Sequence, residues 1–437
     1  MSETSNSRSI STKQERIATL ARQMPDKALN TLAHHIDLDW LRVAYARTRK
    51  DGAVGVDGQT AQVYQQELDE NLLALLNATK LGRYRAPPVR RTYIPKGGGK
   101  MRPLGIPTFE DKVLQEAYRM LLEPLYEEVF MDCSFGFRPK RSAHQALERV
   151  RDHIRLMGGA WVLDVDIRAF FDSVDHGVLR ELVQQRVGDG VVIRAIGKWL
   201  NAGVMESGTV RRPGRGTPQG GVISPLLANI YLHYAVDVWF HEAVRPRMRG
   251  RAHLVRYADD FVMVFEDEGD ARRVAETLPK RLARFHLEVS PEKTRLVYFK
   301  PPRDEPDSKP DTFNFLGFTL YWGKSRKGKQ TIRRKTSSKR VARTLRGFNQ
   351  YCRANRHAPI SVQHRALSRK LRGHYQYFGV TMNYDSLARV ARAVCEIWKK
   401  WLSRRSQKGM TWKQYKRLLA RWPLPEPRVV HTVFRTA

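Results

Sequence analysis

The chain has 437 residues, and its 78 Lys and Arg outnumber 44 Asp and Glu to give a net charge of +34. Its hydrophobic fraction of 41% is ordinary for a folded globular protein with an ample core. No segment approaches the ~20 consecutive apolar residues of a membrane-spanning helix. The polar, Ser-rich first residues lack the apolar centre of a secretory signal. Composition therefore excludes a membrane-spanning protein and favours a nucleic-acid partner.

The basic charge is concentrated in the last part of the chain. From Tyr321 onward there are 30 Lys and Arg against 3 acids, a net of +27, whereas the preceding part carries only +7. Such a segment repels itself unless a polyanion neutralises it. A basic helix on a membrane surface is the competing interpretation. Cys133, Cys352 and Cys395 form no C-x-x-C pair and no zinc pattern, which indicates a reducing cytoplasm.

The first part of the chain predicts short helices followed by an extended segment. Residues 1–35 predict a flexible or marginally helical segment, and apolar residues at helical spacing predict helices over 39–49 and 59–76. Prolines keep residues 85–89 extended, and the alternation after them predicts a strand that reaches Ile94.

A basic hairpin is predicted next. Residues 97–99 are all glycine and predict its turn, with Lys96, Lys100 and Arg102 on the two flanking strands. Cations on two strands joined by a loop are suited to a triphosphate. A solvated basic hairpin is the plain alternative.

Two helix starts are recognisable from their capping residues. Thr108 begins an approximate capping box and predicts a helix through Leu122 that stops at Pro124. Residues 224–225 are Ser and Pro, which predict a second start with a helix over 226–236.

Two pairs of acids interrupt apolar strands. Residues 161–167 predict a strand in which Asp164 and Asp166, two positions apart, share one face. Asp259 and Asp260 lie between two apolar runs and predict the tight turn of a hairpin. Carboxylates held on rigid strands suit hard cations such as Mg²⁺, because these prefer oxygen ligands. A solvated turn is the alternative for the second pair, since Asp is common in turns.

The last part of the chain predicts a strand and then a helical domain. The strand covers 313–320, and the basic segment 323–329 predicts the domain boundary. Helices are predicted over 337–352, 362–379 and 386–405. Aromatic residues alternate with cations there, and such rings either stack on unpaired bases or belong to the core, with about half expected in each role. They are Tyr351, Tyr375, Tyr377, Trp398, Trp401, Trp412 and Tyr415.

From about residue 40 to near its end, the chain resembles the bacterial group II intron reverse transcriptases (intron-encoded maturases). The resemblance is to the form without the C-terminal zinc-finger-like endonuclease. It depends on ordered motifs, each weak alone and strong together. They are Gly55-Val56-Asp57-Gly58, Ile94-Pro95-Lys96, Arg102-Pro103-Leu104-Gly105-Ile106-Pro107, Ser134-Phe135-Gly136-Phe137-Arg138-Pro139, Asp166-Ile167 with Phe170-Phe171, Gly216-Thr217-Pro218-Gln219-Gly220-Gly221, Tyr257-Ala258-Asp259-Asp260, Pro291-Glu292-Lys293-Thr294 and Phe315-Leu316-Gly317-Phe318.

This resemblance implies an α+β right-hand polymerase fold with fingers, a palm built on an antiparallel sheet, and a helical thumb. It implies a flexible N-terminal segment over 1–35 and an N-terminal extension with fingers over 36–155. The palm, with part of the fingers, would cover 156–322. A helical thumb or maturase domain would follow over 323–405, and a basic DNA-binding-like extension over 406–437.

The resemblance also implies a catalytic triad of Asp166, Asp259 and Asp260, which would bind two Mg²⁺ ions, with Mn²⁺ as a substitute. One ion would activate the primer 3′-hydroxyl and the other would hold the triphosphate and leaving pyrophosphate. Asp164 is interpreted as a supporting or structural residue. Lys293 is expected to support the site or the primer.

Further residues are expected to bind the nucleotide. Lys96 and Arg102 would neutralise the triphosphate. Gln219 and Gly220 lie in a glycine-rich loop that enters a helix, and in the family this motif contacts the nascent base pair. Phe171 would lie under the incoming sugar and exclude a 2′-hydroxyl. Phe170 is the competing candidate for that role.

The implied function is RNA-directed DNA synthesis, with binding of intron RNA for splicing and mobility (retrohoming). The expected partners are group II intron RNA, an RNA template with a DNA primer, target DNA and dNTP, in a bacterial cytoplasm and not at a membrane. A domesticated relative in DNA repair or phage defence, and a non-catalytic RNA-folding factor, are the alternatives. Five basic residues are expected to bind RNA: Arg333, Arg334, Lys335, Lys339 and Arg340.

Overall fold

The structure is a computed structural model that describes residues 2–97, 100–206, 208–211, 214–216, 220–302, 311–325 and 327–432. The chain divides into two compact units, Met1–Leu296 and Val297–Ala437. Within the described residues, no helix is long and apolar enough to cross a membrane.

The first unit combines helices with two sheets. Its helices are α1 (Ser2–Gln23), α2 (Leu38–Arg47), α3 (Ala61–Gln66), α4 (Leu68–Lys80), α5 (Phe109–Glu127), α6 (Ala143–Leu156), α7 (Phe170–Ser173), α8 (His176–Gln184), α9 (Gly190–Leu200), α10 (Ser224–Leu232) and α11 (Glu268–Ala283). Its strands are β1 (Val89–Gly97), β2 (Lys100–Ile106), β3 (Ala160–Asp166), β4 (Val204–Glu206), β5 (Thr209–Arg211), β6 (Ala252–Tyr257) and β7 (Asp260–Phe265). Strand β8 (Arg295–Phe299) begins at the C-terminal end of this unit.

One sheet of this unit has the order β2-β1-β4-β5 and contains the predicted basic hairpin. Its strands β1 and β2 are antiparallel, with Gly97 opposite Lys100. In the other sheet, β7 lies between β6 and β3 and is antiparallel to both. The predicted strands over 161–167 and around the Asp pair are therefore neighbours, because β3 and β6 flank the same central strand.

The N-terminal segment contains a packed helix over Ser2–Gln23, so the helical alternative predicted for residues 1–35 is confirmed there and the flexible one is wrong. Ile10 and Ile17 of α1 are seven residues apart, lie on one face and are buried. Gln14 on the same helix donates a hydrogen bond of 2.7 Å to the Met120 carbonyl of α5. The polar composition of the segment concealed this narrow apolar stripe.

Three predicted helix boundaries differ from the structure. The helix predicted over 59–76 is interrupted at Glu67, where α3 ends and α4 begins. The Thr108 hydroxyl caps α5 as predicted, but Pro124 lies inside that helix, because packing of the surrounding turns outweighs the loss of one amide donor. Helix α10 begins at Ser224 itself with Ile223 as its N-cap.

The second unit has its own antiparallel sheet and a set of helices. Strands β9 (Phe313–Phe315), β10 (Phe318–Lys324) and β11 (Gln330–Thr336) have the order β11-β10-β9. The helices are α12 (Ser338–Ala354), α13 (Ile360–Phe378), α14 (Tyr384–Ser403) and α15 (Trp412–Arg421). The three helices predicted in this region are confirmed within a few residues at each end.

The predicted domain boundary over 323–329 is not where the chain divides. These residues include the end of β10 and the connection to β11, with Lys324 opposite Gln330 in the ladder. The division falls instead between Leu296 and Val297. The strand predicted over 313–320 consequently belongs to the second unit and does not complete the first. Glycine and lysine are as common in hairpin loops as in linkers, so composition could not separate the two.

Four of the seven aromatic residues considered for base stacking are buried in the second unit. Tyr375, Trp398, Trp401 and Tyr415 belong to its core. The Trp398 indole donates to Gln363 Oε1 at 3.0 Å, and Tyr415 donates its hydroxyl to the Cys395 carbonyl at 2.8 Å. The polar ends of buried rings are thus satisfied internally. Trp412 is 55% exposed and stays available at the surface.

Candidate active site

The hairpin of β6 and β7 closes through a two-residue turn formed by Ala258 and Asp259. Tyr257 and Asp260 are the last paired residues before it. Ala258 has a φ of +56°, a left-handed conformation that side chains other than glycine seldom adopt and that tight hairpin turns require. The predicted turn is confirmed, and its backbone is held in a conformation that only firm support maintains.

Strand β3 brings its acids to the same end of the sheet. Asp166 is the direct cross-strand partner of Asp260, and Asp164 is the partner of Val262 two positions further along. Directly opposite residues in an antiparallel pair have Cβ atoms roughly 5 Å apart and point to the same face. The pairing therefore gathers Asp166, Asp260 and the turn residue Asp259 at one edge, as the spacing predicts.

The carboxylates influence one another electrostatically. Desolvation, followed by repulsion from Asp259 and Asp166, raises the pKa of Asp260 to about 6. Because Asp260 is exposed at the start of β7, repulsion from the neighbouring carboxylates explains this rise in pKa better than desolvation does. Burial raises the pKa of Asp164 to about 6 as well, against the pull of Arg295 Nε at 3.5 Å.

A lysine lies directly beside the acids. The Lys293 ammonium is 2.6 Å from Asp166 Oδ2. In this conformation no group of three His, Cys, Asp or Glu side chains is arranged to hold a metal ion anywhere in the described ranges. The chemistry of the donors nevertheless fits hard divalent cations, because the cluster offers only carboxylate oxygens and its mutual repulsion would be relieved by positive charge.

A buried ion pair contacts the backbone of the turn, and the sequence did not predict it. Arg256 and Asp237 have no exposed side-chain surface. Arg256 donates to both carboxylate oxygens of Asp237, at 2.7 and 2.5 Å, and also donates to the Ala258 carbonyl at 3.2 Å. Burial alone would raise the pKa of Asp237, but the attraction and hydrogen bonds of Arg256 outweigh it and lower that pKa. An arginine inside the apolar run of β6 was the available signal.

The position of Asp237 depends on an unusual helical segment. Asn229 on α10 accepts a hydrogen bond from Arg256 Nη1 at 2.9 Å, so Asn229 and Asp237 contact the same guanidinium. Eight residues of an α-helix would leave them about 80° apart around the axis. Residues His233–Asp237 form π-helical turns, whose wider i→i+5 spacing reduces the rotation per residue and aligns the two side chains.

The segment Cys133–Gly136 closes the outer edge of β6. The Arg256 amide donates to the Cys133 carbonyl and the Phe135 amide donates to the Arg256 carbonyl, each at 2.8 Å. A Cβ atom at Gly136 would lie 2.4 Å from the Ala258 amide nitrogen, so only glycine fits against the turn. The predicted motif around Gly136 therefore packs directly against β6 and the turn.

The residues predicted to bind the nucleotide are described to different extents in the structure. Arg102 is exposed on β2, opposite Ile94. Lys96 lies on β1, and its side chain is not among those described. Gln219 lies outside the described residues. Gly220 is described, and a Cβ atom there would lie 2.5 Å from the Gly105 carbonyl oxygen of β2.

The start of the glycine-rich loop docks on the segment that contains Phe171. A Cβ atom at Gly216 would approach the backbone of Phe171 and Asp172 to 3.2 Å, and its φ is +94°. The Gly216 amide donates to the Val174 carbonyl at 2.8 Å. The two ends of one loop therefore contact β2 and the segment that contains Phe171.

Phe170 and Phe171 have different environments. They lie in α7, a short helix beyond the strand predicted over 161–167. Phe170 is buried and its ring lies 6.4 Å from that of Tyr231, whereas Phe171 is only partly buried at the edge of the core. Of the two rings, Phe171 keeps the more exposed side chain, and its predicted role under the incoming sugar stays a prediction.

The five predicted RNA-binding residues are not equivalent. Lys335 and Lys339 are exposed, and Arg333 and Arg340 are partly buried. Arg334 is only 7% exposed on the inward face of β11. Its neighbours alternate in and out as strand residues do, so one member of every such basic run must point into the protein. Arg334 is therefore removed from the predicted RNA surface.

Comparison with known proteins identifies the family of the chain. Residues 94–320, just over half of the chain, match the family described as reverse transcriptase (RNA-dependent DNA polymerase). Protein YkfC of Escherichia coli (strain K12) is 33% identical over 358 residues, covering 74% of this chain and 91% of YkfC. A match to a telomerase structure from Candida albicans covers 83% of this chain and 65% of the telomerase chain, with 12% identity and a TM-score of 0.42.

Two relatives are named for introns. The group II intron-encoded protein LtrA of Lactococcus lactis subsp. cremoris is 40% identical over 222 residues, which are 50% of this chain and 37% of LtrA. The putative COX1/OXI3 intron 1 protein of Saccharomyces cerevisiae is 31% identical over 224 residues, 51% of this chain and 26% of that protein. The chain thus spans well under half the length of these intron relatives and nearly all of YkfC.

The chain belongs to the reverse transcriptase (RNA-dependent DNA polymerase) family. Its fold class is the α+β right-hand polymerase fold, and its class of enzyme is RNA-directed DNA polymerase, as the motifs predict. Within that family it is of the group II intron reverse transcriptase and maturase type. Members of the family use divalent metal ions and act on nucleic acids.

Proposed function

We propose that this chain copies an RNA template into DNA from a DNA primer, and that Asp166, Asp259 and Asp260 hold two Mg²⁺ ions. The register that places Asp166 opposite Asp260, beside the Asp259 turn, is the observation that carries the proposal. Bound there, the ions would supply activation of the primer 3′-hydroxyl and neutralisation of the leaving pyrophosphate. Mn²⁺ carries the same charge as Mg²⁺ and also prefers oxygen ligands, so it is expected to substitute for Mg²⁺.

The protein's own residues position the reacting groups. Lys293 holds the Asp166 carboxylate, and Arg295 holds that of Asp164, so both β3 acids have a fixed orientation. Arg256 fixes the carbonyl of the turn that contains Asp259. Rigid placement of this kind supplies the effective concentration on which phosphoryl transfer depends.

The nucleotide would lie between β2 and the α7 segment. Arg102 and Lys96 are proposed to neutralise its triphosphate, and Gln219 and Gly220 to contact the nascent base pair. Phe171 is proposed to lie under the sugar. The support for this arrangement is the loop whose two ends contact Gly105 and the Phe171 backbone.

The second unit is proposed to bind RNA as thumb and maturase domain, with fingers and palm in the first unit. The support is the net charge of +27 from Tyr321 onward. The proposed partners are group II intron RNA, template with primer, target DNA and dNTP, in the cytoplasm. A role in DNA repair or phage defence would need the polymerase but not intron splicing, so splicing assays with purified intron RNA separate these functions.

The test of the catalytic assignment is the double variant Asp259→Ala/Asp260→Ala. We expect loss of DNA synthesis on an RNA template, with binding of structured RNA kept within about threefold, because the acids belong to the first unit and the basic segment belongs to the second. The matched control is Asp69→Ala/Glu70→Ala, adjacent exposed acids on α4. Substantial synthesis by the first variant would contradict the assignment, and equal losses in both would point to general charge effects.

A further inference from the structure

A cationic cavity lies at the outer edge of β6, away from the carboxylate turn. Its volume is about 140 Å³. It is lined by residues of α6, of the segment after α10, and of β6 itself. The side chains that matter here are Arg149, His153, His241, Arg245 and His253.

Two of the histidines are stacked against each other. The rings of His153 and His253 lie 3.7 Å apart between centroids with an interplanar angle of 10°. Burial, together with His253 and Arg149, lowers the pKa of His153 to about 4. Burial followed by Arg245 and Arg251 lowers the pKa of His253. Neutral imidazoles carry one N–H donor each, and His153 Nδ1 is buried with no hydrogen-bond partner.

The arginines of the cavity have no acid of their own. Asp132 also lines the cavity, but it pairs with Arg141 at 2.7 Å. Asp152 lies nearby on α6 and pairs with Arg151 at 3.0 Å. Within the part of the chain that the structure describes, Arg149 and Arg245 form no ion pair. Asp132 and Asp152 are thus each paired with another arginine, and the concave site holds more positive than negative charge.

The backbone of the edge strand adds a donor. Outward-facing backbone groups alternate along a strand, and the Arg256 amide and carbonyl face outward to Cys133 and Phe135. The amide of Leu254, two residues earlier, consequently faces the same edge, where Leu254 lines the cavity.

We propose that this cavity binds a phosphate group. Arginine forks are suited to phosphate oxygens, and imidazole and backbone N–H groups complete the set of donors. The cavity has room for one such group with part of the attached sugar. A phosphodiester of a bound nucleic acid and free phosphate present the same chemistry, and the experiments below distinguish them.

The first experiment measures anion binding to the full chain by titration calorimetry at constant ionic strength, with sulfate as the probe. We expect saturable binding that the variant Arg149→Gln/Arg245→Gln weakens by at least about tenfold. Arg180→Gln/Arg194→Gln, which removes two exposed arginines from α8 and α9, is the matched control and should change affinity less than about twofold. Thermal unfolding of each variant verifies the fold. Absence of saturable binding by the wild type, or equal losses in the two pairs, overturns the proposal.

The second experiment tests the histidines through pH, with sulfate because it stays a dianion across the range. A bound anion favours the imidazolium forms, so affinity should rise as pH falls from about 7.5 to about 5.5. His153→Phe/His253→Phe keeps the stacked rings and should flatten this rise. The other charged or titratable groups facing the pair are Arg149, Asp152, Asp132, Cys133, His241, Arg245 and Arg251. A flat wild-type profile removes the histidines from the site.

The third experiment identifies the source of the phosphate. Inorganic phosphate at saturation is added to a short single-stranded RNA bound by the full chain, again at constant ionic strength. Loss of RNA affinity in the wild type, absent in Arg149→Gln/Arg245→Gln, assigns the cavity to a phosphodiester. Saturable phosphate binding with unchanged RNA affinity assigns it to free phosphate.

Discussion

The sheet of the first unit that contains β3, β6 and β7 and the basic surface of the second unit hold charge in opposite ways. At the sheet, Arg256 of β6 and Asp237 of the neighbouring π-helical segment are fully buried, and each is the other's ion-pair partner. On the second unit, Lys335 and Lys339 are exposed cations in a segment with a net charge of +27. A buried charge depends on one partner and loses about 3–5 kcal/mol when that partner is removed, whereas exposed pairs contribute about 0–1 kcal/mol each. Single substitutions in the first region should therefore change stability or activity strongly. In the second region, RNA affinity should be the sum of many small contributions.

The largest expected effect comes from removing divalent cations. Chelation with EDTA should abolish DNA synthesis, because the clustered carboxylates need positive charge to bind the triphosphate. RNA binding should stay within about threefold, since it depends on exposed Lys and Arg. Primer extension and filter binding on the same samples measure both. Parallel loss of the two activities would mean that the regions are not separable.

The next effect distinguishes positioning from stability at the buried pair. Arg256→Met should lower the free energy of unfolding by about 3–5 kcal/mol, because it leaves Asp237 buried without a partner. The double variant Arg256→Met/Asp237→Leu should recover most of that stability. It should still synthesise DNA at least about tenfold more slowly, because the hydrogen bond to the Ala258 carbonyl is absent.

Denaturant unfolding and primer extension over a Mg²⁺ series measure these two quantities. A loss of positioning should also raise the Mg²⁺ concentration needed for half-maximal synthesis. Full activity in a stable double variant would show that the pair supports only the fold.

A third prediction concerns the two adjacent rings. Phe171→Ala should raise incorporation of ribonucleotides relative to deoxynucleotides by about tenfold, because the steric barrier to a 2′-hydroxyl is removed. Phe170→Ala should instead destabilise the protein by about 3–5 kcal/mol, since that ring is buried in the core. Single-nucleotide incorporation with each substrate decides between them. A change in sugar selectivity with Phe170→Ala alone would reverse the assignment.

The smallest effect per residue is expected on the basic surface. Reversing Lys335, Lys339 and Arg343 to Glu should weaken RNA binding across sequences, and each lost phosphate contact flattens the dependence of log affinity on log salt by roughly 0.7. Reversing the exposed Arg83, Arg180 and Arg194 of the first unit is the matched control. RNA affinity over a salt series is the measurement.

A companion variant sharpens the same contrast. Arg334→Gln should lower stability and leave the salt dependence unchanged, because Arg334 is buried. An unchanged slope in the surface variant would show that RNA binds elsewhere.

Sequence reasoning was successful where chemistry requires a fixed local spacing. The Asp164 and Asp166 alternation and the Asp259 turn needed only strand periodicity and turn chemistry, and the ladder places Asp166 opposite Asp260 as expected. It failed where long-range packing decides the outcome. The narrow apolar stripe of α1 and the inward position of Arg334 depend on partners that local composition does not reveal.

The support of the turn was missed for the same reason. Arg256 contacts Asp237 only because π-helical turns rotate that residue into alignment with Asn229. No sequence period predicts such a local change of helical pitch. An arginine within an apolar strand signals that some buried partner exists, but it does not identify the partner.

The segment Cys133–Gly136 along β6 has a consequence for the order of folding. Its partner Arg256 follows roughly 120 residues later in the sequence, so this contact closes a very long loop. Contacts of such separation are late and slow events in folding. During synthesis on the ribosome, the segment Cys133–Gly136 leaves the exit tunnel well before β6 does. We therefore expect the turn that contains Asp259 to acquire its geometry late in folding, after most helices have formed.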